Sequence, residues 1–154
     1  LPQEGLQESA QALVYALEGA GEQREQYWNN RIRPYWQTIW PKSRPLASKA
    51  IAELLARLAI AARGEFPAAL GTVRDWLQPL EHPHYVVHLL HESGLCSRFP
   101  QDVLKLLDSI IVDQPWAPQE LRDCLRALVA AWVEGQRDIR YLRLIEYARR
   151  HGQE

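Results

Sequence analysis

Residues 43–63 read SRPLASKAIAELLARLAIAAR, and a helix built from them has almost no face to show to water. Leu46, Ala50, Ile51, Leu54, Leu58 and Ala61 recur at three- and four-residue steps, the spacing that gathers side chains on one side of a 3.6-residue helix. Ala47, Ala59, Ile60 and Ala62 widen that side, leaving Lys49, Glu53, Arg57 and Arg63 as a narrow polar edge. Such a helix needs protein cover on two or more sides, so the stretch predicts a central helix that its neighbours pack around. Ser43 is the expected N-cap, Pro45 falls in the first turn where a missing N–H costs nothing, and Gly64 is the expected stop.

Working outward, Leu6 to Ala20 predicts a helix with Leu6, Ala10, Leu13, Val14 and Leu17 in register, ended by Gly19 and Gly21. Residues 22–40 predict a second, kinked or divided at Pro34, whose stripe is Trp28, Ile32, Tyr35, Trp36 and Ile39. Downstream, Phe66-Pro67 opens a helix through Leu77, His82-Pro83 one through about Ser93, and Phe99-Pro100 one through Ile111. Pro118 opens another through Glu134, and residues 137–151 form the last, with Tyr141, Leu142, Ile145 and Ala148 facing inward. No segment sustains a period of two. The expected fold is all-α, seven to eight helices packed as helical hairpins in a single domain over residues 1–154. Phe66-Pro67 and Phe99-Pro100 lie 33 residues apart, and Trp40-Pro41 reads as a degenerate third copy, so the hairpins suit a HEAT-like α-solenoid or a helical bundle.

With 154 residues, 47% apolar and 24% charged, the chain can bury a full core. Glu53 and Arg57 interrupt its longest apolar run, so no membrane partner is expected. It begins at Leu1, contains no Met, and has no signal-peptide features in residues 1–5, which suits a domain excised from a longer protein. Cys96 and Cys124 make no disulfide framework and read as buried free thiols of a cytoplasmic protein. Charge is uneven. Residues 24–49 carry Arg24, Arg31, Arg33, Lys42, Arg44 and Lys49 against Glu25, and residues 137–150 are also basic; these two basic stretches, flanking an acidic middle, could steer an anionic partner.

Two clusters carry chemistry. His84, His88 and His91 stand at i, i+4 and i+7 in a predicted helix, with Glu81 and Glu92 nearby. His pairs at i, i+4 can hold zinc, although Tyr85 stands where HExxH would need a glutamate. The same face could instead meet a partner in a pH-dependent way, or be a solvated outer face. The second cluster, residues 27–40, interleaves aromatic and basic residues, the composition that stacks bases and grips phosphates. Its aromatics share a stripe with Ile32 and Ile39, which argues for core, and leaves Arg31 and Arg33 exposed. No nucleophile elbow, cysteine-enzyme pattern or Gly-rich phosphate loop is present, so no catalytic residue and no cofactor is expected.

The order Trp40-Pro41, an Ala/Leu-rich helix, Phe66-Pro67, Pro79-Leu80-Glu81-His82-Pro83, Glu92-Ser93-Gly94-Leu95 and Phe99-Pro100 resembles the helical C-terminal regions of large multidomain bacterial proteins. Some of these carry SIR2-like or NTPase domains and are linked to defence. The resemblance spans residues 27–148, rests on packing punctuation, and implies a non-catalytic helical module. The expected function is therefore protein interaction or scaffolding, with His84, His88, His91, Arg31, Arg33 and Arg44 presented to a protein partner or to other domains of the parent chain. The alternatives are nucleic-acid binding through residues 24–49 and a zinc-binding domain centred on His84 and His88.

Overall fold

Helix α4, Lys49–Ala61, is buried almost all the way round. Ile51, Leu55, Leu58 and Ile60 are sealed off together with four alanines, and α1 (Gln3–Glu18) and α5 (Phe66–Val73) supply the cover. Each buried Leu or Ile contributes about 1.5–3 kcal/mol of transfer free energy, while the alanines keep the helix narrow. The polar edge is used as well. Half-buried Arg57 pairs with Glu18 of α1 at 3.1 Å. The structure, a computed structural model, describes residues 3–42 and 48–151.

Both ends of α4 differ from expectation. The N-cap is Ser48, whose extended backbone turns its hydroxyl to accept from the Ile51 N–H at 3.2 Å. Ser43 and Pro45 lie outside the described residues. At the other end the left-handed residue is Arg63 (φ 50°) and not Gly64. Its side chain donates to the Ile60 carbonyl at 3.1 Å, which satisfies one of the carbonyls that a helix end leaves open.

Residues 1–78 and 79–154 form two compact all-α units, and no strand occurs among the described residues. In the first unit, α2 (Arg24–Tyr27) runs into a π-helical turn over Trp28–Ile32 and then α3 (Arg33–Thr38). Pro34 explains the turn. Its ring would clash with a carbonyl four residues back, and the wider turn, in which the Arg33 N–H reaches the Trp28 carbonyl, makes room. The extra residue rotates the buried stripe, so Ile39 is 59% exposed and Trp40 takes the inward place. Trp40 stacks on Trp36 at 4.6 Å and meets Trp76 edge-on at 5.3 Å, both within the favourable range for aromatic pairs.

In the second unit, α6 (His84–Ser93) ends at Gly94 in the left-handed conformation (φ 78°). The short α7 (Leu95–Arg98) leads to α8 (Pro100–Ile110), which starts on its proline. Helices α9 (Leu121–Ala131) and α10 (Ile139–His151) complete the unit. Asp138 caps α10 by accepting from the Arg140 N–H at 2.9 Å. The Arg140 side chain beside it holds the Asp138 carboxyl down at about 2. The inward stripe of α10 is Leu144, Ile145, Tyr147 and Ala148, and Leu142 faces outward.

Two glycines make opposite predictions. At Gly71, exposed within α5, a Cβ would meet nothing within 4 Å. Gly71→Ala should raise stability by about 0.5–1 kcal/mol, read as a higher denaturation midpoint. At Gly135 a Cβ would lie 2.7 Å from the Trp132 ring. Gly135→Ala should lower stability by about 1–3 kcal/mol in the same measurement.

Candidate functional site

Helix α6 buries Val86, Val87 and Leu90, and its 3.6-residue period therefore turns His84, His88 and His91 outward, as their spacing predicts. The residues that meet them come from the segment joining α8 to α9. The Trp116 ring stacks on His84 at 4.6 Å and lies near-parallel to His82 at 5.9 Å. His88 sits between two carboxylates, Nδ1 at 2.8 Å from Glu120 and Nε2 at 3.0 Å from Glu92. A neutral imidazole has one N–H and would turn a lone pair toward one of those oxygens, so the geometry fits the imidazolium, which donates from both nitrogens. The hydrogen bond to Glu120 above all, with Glu92 adding to it, raises the His88 pKa above 6.5. His91 is exposed.

The i, i+4 spacing suggests His84 and His88 as a zinc pair, and the structure gives each ring other neighbours. Both ring nitrogens of His88 face carboxylates, and His84 is stacked on Trp116 rather than converging with His88 on one point. Among the described residues, no group of three or more His, Cys, Asp or Glu side chains is placed to hold a metal ion. Cys96 and Cys124 are free and buried. Their thiols reach the Leu90 and Val87 carbonyls of α6 at 3.7 Å each. The hydrogen bond with Cys96 and burial push the Cys124 thiol far up, which is the state of an unreactive cysteine.

The basic segment is likewise reorganised by packing. Trp28 is fully buried, and one face of Trp36 is covered by Trp40. Arg24 points inward, donating to the Glu18 carbonyl at 2.9 Å and the Ala61 carbonyl at 3.2 Å, at the ends of α1 and α4. Lys42 donates to the Gln37 carbonyl. Arg31 and Arg33 are exposed and make no ion pair among the described residues. Arg31 also borders a shallow depression of about 400 Å³ lined by Gln23, Gln26, Tyr27 and Asn30. Arg44 lies outside the described residues.

Sequence reasoning missed Trp116 and Glu120, the first lying between two predicted helices and the second inside one. A tryptophan in a polar turn was the available signal. The partnership of Glu120 with His88, 32 residues away, had none.

No family model matches the chain, and no solved structure matches it. It is similar to the uncharacterised protein y4cA of Sinorhizobium fredii, 28% identical over 92 residues. That match covers 58% of this chain and 8% of y4cA, so the chain spans a small part of that relative's length. No helix among the described residues is long and apolar enough to cross a membrane.

The His88 geometry predicts a titration. Its contribution to stability is complete below about pH 6.5 and fades as pH rises through the raised His88 value. Proton NMR of the His88 ring should place its midpoint above 6.5, and Glu120→Gln should bring it down.

Proposed function

We propose that the chain is a non-catalytic helical interaction module that binds a protein partner, or a neighbouring domain of a larger cytoplasmic bacterial protein, through the Arg31–Arg33 surface of its first unit. The observation that carries this reading is the contrast among its arginines. Arg24 and Arg57 are consumed by carbonyls and by Glu18, whereas Arg31 and Arg33 stand exposed and unpaired among the described residues, Arg31 beside a depression rich in amides. An unpaired guanidinium is a ready fork for a carboxylate, and amides that can donate and accept suit the surrounding polar groups. Arg44, close in sequence, extends the same basic stretch. The size of y4cA supports a module within a larger protein, as does the resemblance to C-terminal helical regions of multidomain bacterial proteins. His91, exposed on α6, belongs to the second unit.

The rival is an anionic nucleic acid. Its electrostatic contacts would release counterions and weaken steeply with salt, but the burial of Trp28 removes one stacking platform. Chemical cross-linking of the intact chain in source lysate, mapped by mass spectrometry, separates the two. A protein carboxylate linked to residues 23–33, and lost by at least about tenfold in the Arg31→Glu, Arg33→Glu double variant, is the expected result. Nuclease-sensitive capture, or capture indifferent to the charge reversal, would sink the proposal.

A further inference from the structure

The segment between α8 and α9 is fastened at its two ends by different chemistry. Arg143 donates to Asp113 at 3.3 Å and to the Ile111 carbonyl at 3.1 Å, and Arg150 donates to Asp113 at 3.0 Å. Next along the chain, Gln114 donates to the Leu80 carbonyl at 3.3 Å, and the Tyr147 hydroxyl donates to the Trp116 carbonyl. Beyond Trp116 the fastening passes to histidines. His84 and His82 lie against the indole, and His88 holds Glu120 just before α9. Guanidinium keeps its charge throughout the physiological range, and imidazolium does not.

We propose that residues 117–120 are a pH-gated strap, closed on α6 while His88 carries a proton and released when that proton leaves, with the chain from Asp113 to the Trp116 carbonyl staying anchored. Protonated His88 donates to Glu120 and Glu92 together. Once neutral, it donates to one and turns a lone pair toward the other, so Glu120 competes with Glu92 on α6 for a single N–H. Of the other charged groups on the packed helices, Arg122 of α9 is half-buried and makes no ion pair with Glu120. On α9, Asp123 faces Arg126 at 3.8 Å, and on α7, Arg98 lies over the Phe99 ring. Among the described residues Glu120 has no second ion-pair partner to hold it when His88 is neutral. Release frees the Glu120 carboxylate and the chain between it and Trp116, whether or not the Arg31 surface binds a partner.

Amide hydrogen exchange of residues 116–122 in the intact chain, corrected for intrinsic chemistry, tests the strap between about pH 5.5 and 8.5. The closed-to-open ratio should fall with rising pH, by about tenfold for each unit separating the His88 pKa in the closed and open states. Glu120→Gln should exchange rapidly at both ends of that range. His88→Gln, whose amide still donates to Glu120 but does not titrate, should show no pH step. Exchange that is independent of pH in the natural chain overturns the strap, and so does a step that survives in His88→Gln, which would belong to His82 or His84.

Discussion

Helix α4 offers water two half-buried side chains, Glu53 and Arg57, along its middle, and the first unit is arranged to satisfy that constraint. Burying a helix on several sides requires its partners to come close, which the alanines at 52, 56, 59 and 61 allow. It also leaves the few polar groups needing partners. Arg57 finds Glu18 on α1, and Arg24 reaches across to the Glu18 and Ala61 carbonyls. The ends of α1 and α4 are thereby joined by one guanidinium. Packing and polar satisfaction point the same way here, and that agreement across levels marks a sequence that specifies one structure.

The second unit solves a different problem. Helices α8 and α9 have well-separated apolar and polar faces, so their cores assemble from Val103, Leu107, Leu121, Leu125 and Leu128 without difficulty. The connection between them is polar and must be held down from outside. Arg143 and Arg150 of α10 take one end, and the histidines of α6 take the other. Tyr147 serves both purposes, with its ring buried in the core and its hydroxyl on the Trp116 carbonyl. Burial also raises the Tyr147 pKa, so the hydroxyl stays protonated and able to donate.

Much of this was legible in the residues. The stripe of α1, the prolines that open α5 and α8, and the end of α6 at Ser93 follow from period and φ restriction. The misreadings share a cause, in that a local rule was correct but applied one to five residues away. Ser43 and Ser48 are both good caps by type, and Ser48 is the one placed to receive the Ile51 N–H. The choice of Ile39 over Trp40 assumed an unbroken 3.6-residue period, which the π turn before Pro34 interrupts. Leu142 and Leu144 are equally apolar, and α10 buries the one that shares a face with Ile145 and Ala148.

The histidine face shows the limit more sharply. Spacing placed His84, His88 and His91 on one outer face of α6, and they are there. Spacing could not say what would lie over them, because Glu120 and Trp116 arrive through a connection whose path is set by α8, α9 and α10 together. A histidine triplet with two nearby glutamates is compatible with a zinc site, a partner surface or an internal clasp, and its composition is the same in all three. What distinguishes them is the identity of the atom facing each ring nitrogen. At His88 both facing atoms are carboxylate oxygens, and at His84 the ring meets an indole face. The contacts observed for His84 and His88 are those of a clasp, formed by residues far apart in the chain and sensitive to a single proton.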